Sequence, residues 1–136
     1  MNGLTTGEVA KRAGVNLQTI RYYQRRGLLP EPPRSASGYR YFTEDAIRRV
    51  RFIKRGQELG FSLDELNDLL ALRVRTGATC SDVRQRAEAK IADIDERMRA
   101  LRTMRTALKR LAENCTGRGP VSECPILESM NPKDVF

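Results

Sequence analysis

Histidine and tryptophan are both absent from this 136-residue sequence. Without histidine the chain lacks the commonest general base and the commonest metal ligand. Cysteine is scarce: Cys80, Cys115 and Cys124 are the whole complement. Three is an odd number, and thiols stay reduced in the cytosol, so a disulfide framework is the poorer reading. Cys-x-x-Cys, a nucleophile elbow and a phosphate-cradling loop are all missing, and the cysteines have no base partner, which speaks against an enzyme. No apolar run approaches the length of a membrane span, and the first residues carry no apolar signal-peptide core. The expectation is a cytoplasmic protein with no membrane partner. Glycine and proline are missing throughout residues 81–114, which permits one uninterrupted helix there.

What is present is a hydrophobic content of 40%, enough for a core, and a net charge of +8 that is unevenly placed. Residues 1–60 hold 12 Lys/Arg against 5 Asp/Glu, and residues 61–136 hold 13 against 12. The basic excess lies in the first part, where it suits a polyanionic partner. Charge alone fits a solvated basic face equally well.

The local signals are orderly. Thr5 and Glu8 have capping-box spacing, and Gly14 suits the left-handed position that ends a short helix. Asn16 is placed to cap a second helix over Leu17–Arg26, which Gly27 stops. Val9, Ala10, Val15, Ile20 and Tyr23 form the inward set. Two short helices joined by a glycine turn read as a helix-turn-helix. Residues 30–38 are turn-rich, and Tyr39–Phe42 is a short strand candidate, so the pair reads as a wing. Thr43 is placed to cap a helix whose apolar positions Ile47, Val50, Ile53 and Leu59 recur at helical spacing. Ser62 and Glu65 form another capping box, opening a leucine-rich helix that runs to a linker at Thr76–Thr79. The following helix of roughly 34 residues would be about 50 Å long. Its apolar stripe, Ala87, Ile91, Ile94, Met98, Leu101, Leu108, Ala112 and Cys115, is interrupted only at Arg105. So narrow a stripe on so long a helix needs a partner, most simply the same helix of a second chain. The remainder, with its glycines and prolines, reads as a loop closed by a short turn near Ile126–Met130.

The motifs Thr19-Ile20-Arg21-Tyr22-Tyr23, Gly27-Leu28-Leu29, Ser37-Gly38-Tyr39-Arg40 and Gly60-Phe61-Ser62-Leu63, in that order, resemble the MerR family of transcription regulators over essentially the whole chain. The resemblance implies a mainly α fold with an N-terminal winged helix-turn-helix, a long antiparallel coiled-coil dimer helix and a C-terminal metal-binding loop. The expected divisions are 1–76 for DNA binding with its linker helices, 80–114 for dimerisation and 115–136 for the metal loop and tail. Members of the family bind double-stranded promoter DNA as homodimers. They repress without inducer, and with it they kink and untwist the DNA for RNA polymerase, reading deformability as energy. Carried onto this chain, Gln18, Thr19, Arg21 and Tyr22 would meet the major groove or its rim. Arg34, Tyr39 and Arg40 of the wing would meet phosphates. Arg21 could read guanine bidentately or clamp a phosphate. Tyr22 fits either a phosphate contact or packing, whereas the spacing of Tyr23 makes it core.

Cys115 and Cys124 are eight residues apart in a Gly/Pro loop that could pinch one ion. Cys80 lies at the other end of the long helix, about 50 Å away if the helix is straight, so the three cannot share an ion within one chain. An antiparallel pair places Cys80 of one chain beside Cys115 and Cys124 of the other. Two three-thiolate sites would result. The competing reading is three small buried hydrophobes, strongest for Cys115, which lies on the apolar stripe. Three sulfurs without imidazole select a thiophilic ion, Hg(II) as inducer with Pb(II) as the alternative; structural zinc usually takes four ligands. The site resembles that of the family's mercury-responsive members. Cadmium- or zinc-responsive members, a drug-sensing regulator with the same DNA head, and a constitutive DNA-binding module are the other readings. About twenty residues after the long helix are few for a roomy ligand pocket.

Overall fold

Side-chain caps set the start of the first two helices. Thr5 Oγ1 accepts from the Glu8 amide at 3.1 Å, and Glu8 Oε1 accepts from the Thr5 amide at 3.2 Å, which opens α1, Thr6–Ala13. Gly14, at φ 75, turns the chain out of α1. Asn16 Oδ1 then accepts from the Thr19 amide at 2.8 Å and opens α2, Leu17–Arg25. The computed structural model describes residues 3–32 and 41–130 of the chain. Among the described residues the other elements are α3 Glu44–Glu58, α4 Leu63–Val74, α5 Cys80–Asn114 and α6 Pro125–Met130, with a 3-10 turn at Val121–Glu123. Ser62 and Glu65 close the expected capping box at the start of α4. The fold is mainly α, as the sequence implied.

Two compact units divide the chain, Met1–Lys90 and Ile91–Phe136. The first holds the core. Val9 of α1, Ile20 of α2, Val50 and Ile53 of α3 and Leu66 of α4 are sealed from solvent, and Leu28 is 1% exposed. Each such side chain contributes about 1.5–3 kcal/mol on burial. Tyr23 is also buried and donates its hydroxyl proton to Gln57 Oε1 at 2.8 Å, so the core position has a polar exit. Gly56 allows α3 and α4 to approach: a Cβ there would lie 2.2 Å from Leu66 Cδ2.

Three expectations need adjustment. Thr43 heads α3 without a side-chain cap bond. Leu59 is 50% exposed although its amide still donates to the Arg55 carbonyl at 3.1 Å, because its place nine residues after the buried Val50, two and a half turns, puts it on the opposite face of the helix. Among the described residues no strand forms. Of the strand candidate, Phe42 makes one antiparallel bridge with Leu4, amide to carbonyl in both directions at 2.7 and 2.8 Å. A ladder needs a partner several residues long, and Leu4 lies only two residues ahead of α1. The other wing residues, 33–40, lie outside the described residues.

The second unit has no buried side chain among its described residues. Along α5, Ile91, Ile94, Met98, Leu101, Met104 and Leu108 are 39–60% exposed. Met104 fills the gap that Arg105 leaves in the stripe.

Candidate nucleic-acid interface and metal centre

The recognition candidate is α2. Ile20 and Tyr23 anchor it to the core, and the 3.6-residue period leaves Gln18, Arg21, Tyr22 and Arg25 exposed on its other faces. Thr19 is half-buried, and its hydroxyl donates to Asn16 Oδ1 at 2.9 Å, so part of its bonding capacity is engaged in the cap. Tyr22 is 40% exposed. Its hydroxyl oxygen accepts from Arg26 Nη1 at 3.1 Å, and its own proton is available to an acceptor. The guanidiniums of Arg25 and Arg26 lie 5.7 and 5.9 Å from the centre of the Tyr22 ring. This aromatic flanked by two cations was not singled out from the sequence. The signal available was the three- and four-residue spacing from Tyr22 on a helix. Arg34, Tyr39 and Arg40, the wing candidates, lie outside the described residues.

Several other cations are engaged in holding this unit together. Arg12 forms a two-pronged pair with Glu44 at 2.8 and 2.9 Å, and Glu44 is thereby held below the usual carboxylate range. Arg51 donates to the Arg12 carbonyl at 2.8 Å and Lys54 to the Gly14 carbonyl at 3.0 Å, closing the end of α1. The basic excess therefore serves two purposes, part of it structural and part of it open to a partner.

The cysteines divide between the units. Cys80 is the first residue of α5 and is exposed. Cys115 directly follows α5, and Cys124 directly precedes α6. Both are half-buried, and they lie near enough for the Cys115 thiol to act on the Cys124 sulfur. The amides of Leu127 and Ile126 point at the Cys124 sulfur and lower its pKa, and the Cys115 thiol adds to this against the opposing effect of burial. Backbone donors at a sulfur favour thiolate, the form that binds metal. One chain thus brings two of the three predicted ligands together. Among the described residues no group of three or more His, Cys, Asp or Glu side chains is assembled within a single chain.

Comparison with known proteins bears on the family. Residues 4–72 match the MerR HTH family regulatory protein family, and residues 47–111 match the family described as MerR, DNA binding. The mercuric resistance operon regulatory protein of Serratia marcescens is 44% identical over 130 residues, covering 96% of this chain and 89% of that protein. The transcription regulator PbrR691 of Ralstonia metallidurans CH34, solved in complex with lead(II), superposes with a TM-score of 0.83 at 36% identity, covering 94% of this chain and 99% of that one. The dual-function transcriptional regulator MerR of Bacillus megaterium MB1, solved with mercury(II), superposes at 0.71 with 38% identity, covering 93% and 98%. These relatives are transcription regulators and not enzymes. Among the described residues no helix is long and apolar enough to cross a membrane. A capped helix-turn-helix, a long exposed helix and a thiol pair at its end thus coincide with likeness to such regulators over more than nine-tenths of the chain, and the chain belongs to the MerR family of metal-responsive transcription regulators.

Proposed function

We propose that this chain is a mercury(II)-responsive regulator that binds promoter DNA as a homodimer. It represses without metal and activates by distorting the DNA when Hg(II) binds three thiolates, presenting the promoter to RNA polymerase. Cys80 of one protomer and Cys115 and Cys124 of the other supply those thiolates. Gln18, Thr19, Arg21 and Tyr22 meet the DNA from α2, and Arg34, Tyr39 and Arg40 meet it from the wing.

One observation carries the intersubunit site. Most apolar residues of the α5 stripe are arranged symmetrically about a point midway between Arg97 and Met98, Met98 itself being the exception because its mirror position is Arg97. Ile94 and Leu101, Ile91 and Met104, Ala87 and Leu108, and Val83 and Ala112 are equidistant from it, and so are Cys80 and Cys115. Two antiparallel copies of α5 in that register set apolar residue opposite apolar residue at four positions on either side of a central Met98–Arg97 crossing. The same register sets Cys80 opposite Cys115, which already has Cys124 as its neighbour. Three soft donors without imidazole favour Hg(II) over zinc. The relatives named for mercury support this choice of ion. Pb(II) is the second reading, favoured by the lead-bound structure with the TM-score of 0.83.

A mixed dimer tests the site. A C80S chain is combined with a chain carrying C115S and C124S. One site of the mixed dimer then keeps Cys80 from the second chain and Cys115 with Cys124 from the first. Recovery of about one tightly bound Hg(II) per mixed dimer, read from ultraviolet charge-transfer bands, is the expected result. Neither parent homodimer should bind normally. A mixed dimer that regains nothing would remove the intersubunit site. Competition with Pb(II) at fixed free thiol decides the ion.

A further inference from the structure

Lys90 is the one buried charged side chain among the described residues, 8% exposed. A lysine with so little water needs a partner, and its ammonium lies 2.8 Å from Glu65 Oε1 and 5.6 Å from the centre of the Phe61 ring. The same Glu65 Oε1 accepts the Ser62 amide at 2.8 Å, the reciprocal half of the α4 capping box. The oxygen that receives Lys90 of α5 is therefore the one that closes the first turn of α4. Asp64, the preceding residue, accepts from Arg26 Nη2 at 3.0 Å, and Arg26 Nη1 donates to Tyr22 Oη on α2. The first turn of α4 is thus held from two directions, by α5 through Lys90 and by α2 through Arg26. In sequence, Lys90 directly precedes Ile91, where the exposed stripe of the second unit begins.

We infer that Lys90 is a positioning residue that couples α5 to the recognition helix through Glu65, Asp64 and Arg26. The inference rests on the metal-responsive reading above, since it assigns the route by which a metal-dependent change in α5 reaches Tyr22. The physical basis is a shared acceptor. A displacement of Lys90 that weakens its bond to Glu65 Oε1 alters the cap of α4, and the backbone that the cap fixes carries Asp64. The outer pair, Arg26 with Asp64, is exposed and weak by itself. It transmits because Arg26 also touches the Tyr22 hydroxyl and ring.

The test compares wild type, Lys90→Met and Lys90→Arg in the full-length dimer. Three quantities are read: operator affinity without metal, Hg(II) stoichiometry, and the metal-induced rise in 2-aminopurine fluorescence at the operator centre. Lys90→Met should keep the first two within about threefold and lose about five- to tenfold of the metal response, the lower range of coupling between two sites. Lys90→Arg should restore the response, because a guanidinium still reaches Glu65 with its charge. Hydrogen exchange of the metal-free protein gives a readout independent of any metal response. Lys90→Met should speed exchange at the amides of residues 62–66 and of 25–27, while α1 and α3 keep their protection. Should Lys90→Met fail to fold, Glu65→Gln decides, because its amide oxygen keeps the Ser62 cap and its charge is gone. A metal response and exchange at 25–27 that match wild type would overturn the inference. A wild-type protein without a metal response would instead sink the functional reading, and the exchange data would still decide the coupling.

Discussion

The two units of this chain use apolar residues in opposite ways. In Met1–Lys90 most large apolar side chains turn inward, and Val9, Ile20, Val50, Ile53 and Leu66 are wholly out of solvent. In Ile91–Phe136 they face out, with Leu101 60% and Leu108 57% exposed. Short capped helices can cover one another within one chain. A single long helix has no such recourse, and its stripe is satisfied only by another surface. The difference teaches that the first unit carries its own stability, whereas the second is built to be completed.

The largest expected effect comes from breaking the second unit. Leu101→Asp places a charge in the proposed seam. Each buried leucine lost costs about 2–5 kcal/mol and a symmetric dimer loses two, so the dissociation constant should rise at least about a thousandfold. Sedimentation should show monomers, and the first unit should melt as in wild type. An intact dimer would end the comparison, because the exposed stripe would then have another purpose.

A smaller effect comes from overfilling the first unit. Gly56→Ala drives a methyl group against Leu66, which is fully buried and has no room to retreat. The expected loss is about 1–3 kcal/mol, or roughly 4–8 °C of melting temperature for each kcal/mol in a unit this size. Dimer dissociation constants should stay unchanged. A melting temperature equal to that of wild type would show that the packing of α3 on α4 is looser than its geometry indicates.

The smallest effect lies where the sequence passes from one unit to the other. The Lys90 ammonium, with the Ser62 amide second, holds the Glu65 carboxyl down at about 2, against an ordinary 4.5. A carboxylate whose pKa is lowered by folding contributes stability above its unfolded value and loses it as the solution is acidified. Here the contribution is full above pH 4.5 and fades from there toward pH 2. The Glu65 side chain is 45% exposed, so solvent screening keeps the contribution small. Thermal melts of wild type and Glu65→Gln should therefore converge as the pH falls from 5 to 2.5. Curves that stay parallel would show that the Lys90 contact carries no pH-dependent stability.

Much of this protein was legible in its residues. The caps at Thr5, Asn16 and Ser62, the glycine stop at position 14 and the unbroken run from 81 to 114 are local signals, and each sets an element with little help from the rest of the chain. The family motifs and the absence of histidine framed the function in the same way. Tertiary structure decided what depends on neighbours distant in sequence. It left Leu59 in solvent on the face opposite Val50, and among the described residues of the strand candidate it formed one bridge, Phe42 with Leu4. It brought Cys115 near Cys124 while Cys80 stayed in the other unit. It buried Lys90 on Glu65, a pairing across 25 positions that periodicity does not report. Periodicity describes one helix at a time, and an ion pair between helices exists only where the two have already been packed together.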